Sequence, residues 1–405
     1  MTPTLSVIPS IVIPGDNIRI EGSGFDPSKK VQLTLDNAGA TTNYFRPTKD
    51  GTFHVGMTVS TTAKTQILAA RYANTTTIVA SAAVTVAVPV PVPPPVPPPT
   101  PTRPFPLPIT TREVTVLSSG IIQAAIDSQE DGTLIKFTPG TYTISTAINL
   151  KGRNNLILDF QGSTIINTKL PVDLGTSYVG STFWWSWADV KPSHITIKNL
   201  IVKAANPKPG VLNVAEHAAV LHAMGGSFIE LDNITGSGLI GDLLTCNENP
   251  SDIWVHNSHV TDCGRNNVSI ICGQRITIED NTFDRAGYCG FDIEPETSSI
   301  AGVSNIIFRR NTLGTWVNSF FSMDGVDADK AISDITIADN KCTGGTLLTV
   351  AGGSTGKARP ARVAFTGNTG VNSSTAKFNH VDGLTFKLNT NVTLAVIDCT
   401  GVITT

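Results

Sequence analysis

Charge is scarce in this 405-residue chain: Asp, Glu, Lys and Arg make up 15% of it, against about a quarter in an ordinary globular protein. With a net charge of −3 and no basic stripe, the chain lacks the electrostatic footprint of a nucleic-acid binder. No apolar run is long enough to span a membrane. The opening Met1-Thr2-Pro3-Thr4-Leu5-Ser6-Val7-Ile8-Pro9 has neither the basic nor the apolar region of a secretory leader. Six cysteines (Cys246, Cys263, Cys272, Cys289, Cys342, Cys399) form no CxxC pair. They therefore predict no zinc site and no particular set of bridges; buried free thiols are the expected reading. No cofactor and no metal is expected.

What the chain does have is a repeated phrase. An apolar–polar–apolar triplet followed shortly by Asn occurs as Ile195-Thr196-Ile197 before Asn199, Ile229-Glu230-Leu231 before Asn233 and Ile253-Trp254-Val255 before Asn257. It recurs before Asn281, Asn311, Asn340 and Asn368, with successive Asn separations of 34, 24, 24, 30, 29 and 28 residues. Triplets with period two inside a repeat of this length predict a parallel β-helix, one short strand per triplet. Asn suits the turn after each strand because it tolerates left-handed backbone, and equivalent Asn side chains in successive coils can stack. A second strand per coil is expected at Val268-Ser269-Ile270, Phe291-Asp292-Ile293, Phe321-Ser322-Met323 and Leu347-Leu348-Thr349-Val350. A β-sandwich would also give short alternating strands, but it has no reason to repeat the Asn phrase.

Twelve of the 25 prolines fall between Pro89 and Pro108. Such a run lacks backbone donors and predicts an extended polyproline strut of about 60 Å at about 3.1 Å per residue. The division expected is residues 1–88, a linker at 89–110, and a solenoid over 111–405. Before the strut, alternating runs at Ile18–Glu21, Val31–Leu35, Thr52–Val59, Ile67–Tyr72 and Ala82–Val88 predict a Greek-key sandwich. The phrases Ile13-Pro14-Gly15-Asp16, Gly22-Ser23-Gly24-Phe25-Asp26-Pro27 and Asp50-Gly51-Thr52-Phe53 resemble bacterial immunoglobulin-like domains, which serve as spacers or adhesion units on extracellular proteins and phage virions. After the strut, Ser119–Ser128 reads as a short amphipathic helix ahead of Phe137-Thr138-Pro139-Gly140-Thr141-Tyr142. This passage resembles the cap and first coil of the pectate-lyase-like right-handed parallel β-helix superfamily. The resemblance implies an all-β chain: an Ig-like β-sandwich, a proline-rich linker and a right-handed parallel β-helix.

Three clusters could carry chemistry. With Phe291 and Ile293 inward, Asp292 and Glu294 face out, and Asp324 of the next coil stacks beside Glu294. That arrangement offers carboxylate pairs at about 4.8 Å and about 7 Å, the separations that glycoside hydrolysis uses. The second cluster is aromatic: Tyr178, Trp184, Trp185 and Trp187 lie in an insertion between Leu170 and Pro192, where rings can stack on sugars or simply cover the solenoid. The third, His217 and His222, falls on opposite faces of a strand-like run and makes a poor metal pair. The superfamily's enzymatic motifs are not carried over: where pectate lyases have Trp-Ile-Asp-His, this chain has Trp254-Val255-His256, and the polygalacturonase set is absent. The expectation is therefore a phage tail-associated protein (minor tail, tail fibre or tailspike) that contacts host-envelope polysaccharide through its solenoid. Its N-terminal domain would join other tail proteins. A polysaccharide hydrolase or lyase of the same fold is the alternative. Trimers are common among phage β-helix spikes, although no heptad here demands one.

Overall fold

The computed structural model describes the chain apart from residues 1, 9–10, 13–16, 36–43, 59–64, 87–102, 118–120, 170–179, 187, 206–217, 297–298, 324–329, 345–347, 352–358 and 405. It divides into two compact units, Met1–Pro101 and Thr102–Thr405. Pro89 to Thr102 of the expected strut lie outside the described residues.

The first unit contains a three-stranded antiparallel sheet of Thr4–Ile8, Asn17–Ser23 and Phe53–Thr58. A five-stranded sheet is built on Val31–Leu35, Thr65–Tyr72 and Ile78–Val86, with short edges at Ile11–Val12 and Tyr44–Phe45. The two sheets share one core, formed by Val7, Ile20, Phe25, Val31, Leu33, Phe53, Leu68 and Ala70. Alternation explains the arrangement: on Val31–Leu35, residues 31 and 33 point into this core.

The second unit is a parallel β-helix of three sheets, in which every coil lays its strands on the equivalent strands of the coil before. The first sheet stacks Thr133–Phe137, the start of Asn154–Asn167, and then Ser193–Ala204, Ser227–Ser237, Ser251–His256, Gly273–Glu279, Val303–Arg309, Ile332–Ala338, Ala361–Thr366 and Asp382–Lys387. The second is narrow, with strands such as His259–Thr261 and Thr282–Phe283. The third runs through Phe183–Trp184, Leu221–Met224, Leu244–Asn247, Val268–Ile270, Cys289–Ile293 and Ser319–Met323. The apolar residues of the repeated triplets form the core columns: Ile253 pairs with Ile276 and Ile276 with Ile306, while Val255 pairs with Ile278 and Ile278 with Phe308. All six are fully buried. Phe291 stacks on Phe308 at 4.5 Å and on Phe321 at 5.3 Å, which joins the first and third sheets through the core. The Ile122–Asp127 helix buries Ile122 and Ile126 in this core at the N-terminal end. An open coil stack would otherwise expose apolar surface there, while Arg112–Val116 pairs with the edge of Thr133–Phe137.

The Asn repeat resolves into two positions rather than one stack. Asn199, Asn233 and Asn257 themselves take the left-handed conformation at the corner between the first and second sheets, with φ of 55°, 56° and 51°. From the next coil onward Asp280, Arg310 and Asp339 occupy that corner, and Asn sits one residue later. Asn281, Asn311, Asn340, Asn368 and Asn389 then form a continuous ladder, each amide donating to the next coil's carbonyl oxygen at 3.0, 3.0, 3.0 and 3.2 Å. Each also donates to a backbone carbonyl, as Asn311 does to Ile278 at 2.9 Å. The physical difference is burial: the inner ladder amides are almost wholly enclosed and need every bond they make.

Residues 103–108, expected to end the solvated strut, lie instead against the solenoid. The Arg103 guanidinium bonds the Glu230 carboxylate at 2.6 Å and sits 5.1 Å from the Trp254 ring centre. Phe105 is buried edge-on to Phe228 and Trp254 at 5.8 and 6.5 Å. Glu230 also accepts from Thr196 at 2.7 Å and from His256 at 3.0 Å. Burial alone would raise the Glu230 pKa, but these bonds and the Arg103 charge outweigh it and hold the carboxyl below its usual range.

Candidate active site on the third sheet

Outward-facing positions of the third sheet line up coil by coil: Trp184 pairs with His222, His222 with Thr245, Thr245 with Ser269, Ser269 with Asp292, and Asp292 with Ser322. The column follows from period two. Leu221, Leu244, Val268, Phe291 and Phe321 point into the core and force their successors outward. At one strand spacing per coil, Trp184 and Asp292 lie about 19 Å apart along the solenoid.

Around Asp292 the column opens into a cleft of about 140 Å³ lined by Thr245, Arg265, Ser269, Ile270, Ile271, Asp292, Glu294 and Glu296. Phe291 and Ile293 are inward as the sequence requires, so Asp292 and Glu294 do project from the outer face. The expectation that Asp292 is solvated is corrected, however: it is only 4% exposed. The turn before the strand below explains its cover. Asn266 donates to Asp292 at 3.1 Å and to Ser269 at 2.9 Å, while Ser269 donates to Asp242 at 2.6 Å. Asp242 in turn accepts from Thr245 at 3.0 Å and from the Asn266 backbone at 2.9 Å.

This enclosure sets the protonation of the site. Burial, reinforced by the neighbouring Glu294 charge, pushes the Asp292 carboxyl up to about 7, although a hydrogen bond from Ser322 and the Arg265 charge oppose the rise. Burial likewise raises Asp242 against the pull of Arg265. A carboxyl that holds its proton near neutrality beside a more accessible Glu294 has the division of labour that acid–base chemistry needs. Along one strand, side chains two residues apart stand about 7 Å from each other. Cys289 lies close by, but burial and the Asp292 charge push its thiol to about 11, which leaves it no nucleophile.

The remaining expected residues fall in different places. Asp324, Tyr178, Trp187 and His217 lie outside the described residues. Trp184 is half-buried and belongs to the same outward column as Asp292. Trp185 is corrected: it points inward, fully buried in the solenoid core, with its indole N–H donating to the Met224 carbonyl at 2.8 Å. A ring enclosed in this way has no face for a sugar, and its role is packing. His222 is also buried, and among the described residues no group of three His, Cys, Asp or Glu is placed to hold a metal. Asp242, Thr245, Arg265, Asn266, Ser269 and Glu296 were not among the expected site residues. Carrying the Asp292 register back one coil to Ser269 and two to Thr245 would have found the cleft floor, but the turn residues have no such signal.

No known family model matches the chain, and no curated protein matches it in sequence. Among solved structures it is similar to pectate lyase Pel9A, at 14% identity over 73% of this chain and 78% of that one, with a TM-score of 0.43. An exopolygalacturonase from Thermotoga maritima is similar at 10% identity over 73% and 92% of the two chains, TM-score 0.40. The surface protein and adhesin PfbA of Streptococcus pneumoniae is similar at 13% identity over 70% and 92%, TM-score 0.33. Likenesses this distant carry no functional argument, and the assignment of a parallel β-helix rests on the strand register itself.

Proposed function

We propose that this chain is a glycan-contacting β-helix protein carried on a phage tail, and that it meets the host envelope through the third-sheet cleft. The N-terminal unit is then an Ig-like module that spaces the solenoid from, or joins it to, other tail proteins. The observation that supports the glycan reading is the cleft itself: one largely buried acid, two further carboxylates, an arginine and two hydroxyls converge on the outer face of a rigid sheet. Few well-placed polar groups on a stiff scaffold are what polyol recognition requires. Trp184 in the same outward column extends the contact surface with an aromatic ring.

A hydrolytic reading is favoured by one further observation, the Asp292 carboxyl raised to about 7 next to Glu294. In that reading Asp292 gives its proton to the glycosidic oxygen as the C–O bond breaks. Glu294 takes a proton from the water that attacks the anomeric carbon. The separation of about 7 Å estimated from strand geometry leaves room for that water. Adsorption of the purified chain to host envelopes, measured beside reducing-sugar release, tests both readings. A tail adhesin adsorbs without releasing sugar, and Arg265→Ala and Glu294→Ala weaken its adsorption. A hydrolase releases sugar, and Asp292→Asn abolishes the release. Adsorption that is indifferent to every cleft variant overturns the assignment.

A further inference from the structure

The charge of the cleft restricts what it can hold. Glu294 and Glu296 line it, Asp292 forms its floor, Asp242 lies directly beneath through Ser269, and among the described residues Arg265 supplies the single guanidinium of the lining. With every group ionised, four carboxylates face one cation. With both buried acids protonated, two carboxylates still face it. Arg265 acts electrostatically on both Asp242 and Asp292, so its charge is already engaged within the site. The other described residues of the lining are uncharged: the Thr245 and Ser269 hydroxyls and the apolar edges of Ile270 and Ile271.

We infer that the cleft takes a glycan without negative charge, an uncharged or amino sugar bound through its hydroxyls, and that it rejects polyuronates and other polyanions; this rests on the glycan-contacting reading above. A sugar carboxylate entering the cleft would face Glu294 and Glu296 as well as Arg265. Like charges brought together in a partly enclosed site discriminate strongly, and the effect fades as salt screens the more exposed pair. A neutral sugar faces no such barrier. Its hydroxyls can donate to the Glu294 and Glu296 carboxylates and to the Thr245 hydroxyl oxygen, whose own proton goes to Asp242, and can accept from a protonated Asp292.

Matched polysaccharides that differ only in charge test the inference on the full chain. Polygalacturonate, alginate and hyaluronan, each beside its carboxyl-reduced form, serve as probes in affinity electrophoresis at low and high salt. The expected result is that reduced forms retard the protein at least about tenfold more strongly than their anionic parents, with the gap narrowing at high salt. Glu294→Gln combined with Glu296→Gln, confirmed folded by circular dichroism, removes the two repelling carboxylates of the lining and should raise binding to the anionic forms above that of the unmodified chain. If an anionic form binds as tightly as its reduced partner, the charge inference falls while the glycan reading stands. If neither the unmodified chain nor the double variant is retarded by any probe, both fall together.

Discussion

Replacing Asp292 with asparagine probes the buried acid directly. Its carboxyl has an ordinary value of 3.8 and is raised to about 7 in the folded protein, mainly by burial. The native state therefore keeps a proton that the unfolded chain has already lost. The stability this contributes is complete below pH 3.8 and disappears as the pH rises through about 7. Each pH unit in that window corresponds to about 1.4 kcal/mol, so between pH 5 and pH 8 the wild type should lose about 3 kcal/mol from this group alone. The amide of the Asp292→Asn variant keeps the shape of the acid and carries no charge at either pH. Urea unfolding followed by tryptophan fluorescence should therefore show Asp292→Asn gaining on the wild type by about 3 kcal/mol between pH 5 and pH 8. Comparing the change between the two proteins removes the titrating groups that do not interact with Asp292. A wild-type-minus-variant difference that does not move with pH would refute a buried, proton-holding Asp292, and the acid assignment in the hydrolytic reading would go with it.

Two further outcomes follow from packing. Phe308→Ala removes a ring that stacks on Phe291 at 4.5 Å and pairs in register with Ile278, so denaturation should show a loss of about 3 to 5 kcal/mol. Trp185→Ala should cost a similar amount, about 3 to 5 kcal/mol. It should leave adsorption per folded molecule unchanged, whereas Trp184→Ala should lower adsorption per folded molecule and also cost some stability, because the half-buried ring packs against the core.

Much of the solenoid was legible because its period-two triplets bury the same side chains in every coil: Ile278 and Phe308 sit where alternation puts them. The Asn phrase was legible as a corner but not as two distinct positions. The separation of Asn257 from Asn281 hides a one-residue shift from the left-handed corner residue to the ladder residue. Direction outward from the core could be read for Asp292; its burial could not. That burial comes from Asn266 and Ser269 one coil below, and irregular turns place side chains that no periodicity predicts. Trp185 shows the opposite failure: inside an aromatic cluster the sequence does not say which ring faces the core, and the backbone turned this one inward. Arg103 and Phe105 lie within a run whose composition argues for solvent, yet their own side chains match Glu230, Phe228 and Trp254. Average composition conceals such a docking segment.

The central claim is that glycan is held on the third sheet. Backbone hydrogen–deuterium exchange of the full chain, with and without saturating host-envelope polysaccharide, locates the contact directly. The account predicts added protection in Leu244–Asn247, Val268–Ile270 and Cys289–Ile293 and in the turn that carries Arg265, with the first sheet's Gly273–Glu279 and Val303–Arg309 unchanged. Protection confined to the first-sheet face or to the N-terminal unit, with the Asp292 cleft exchanging as before, would contradict it.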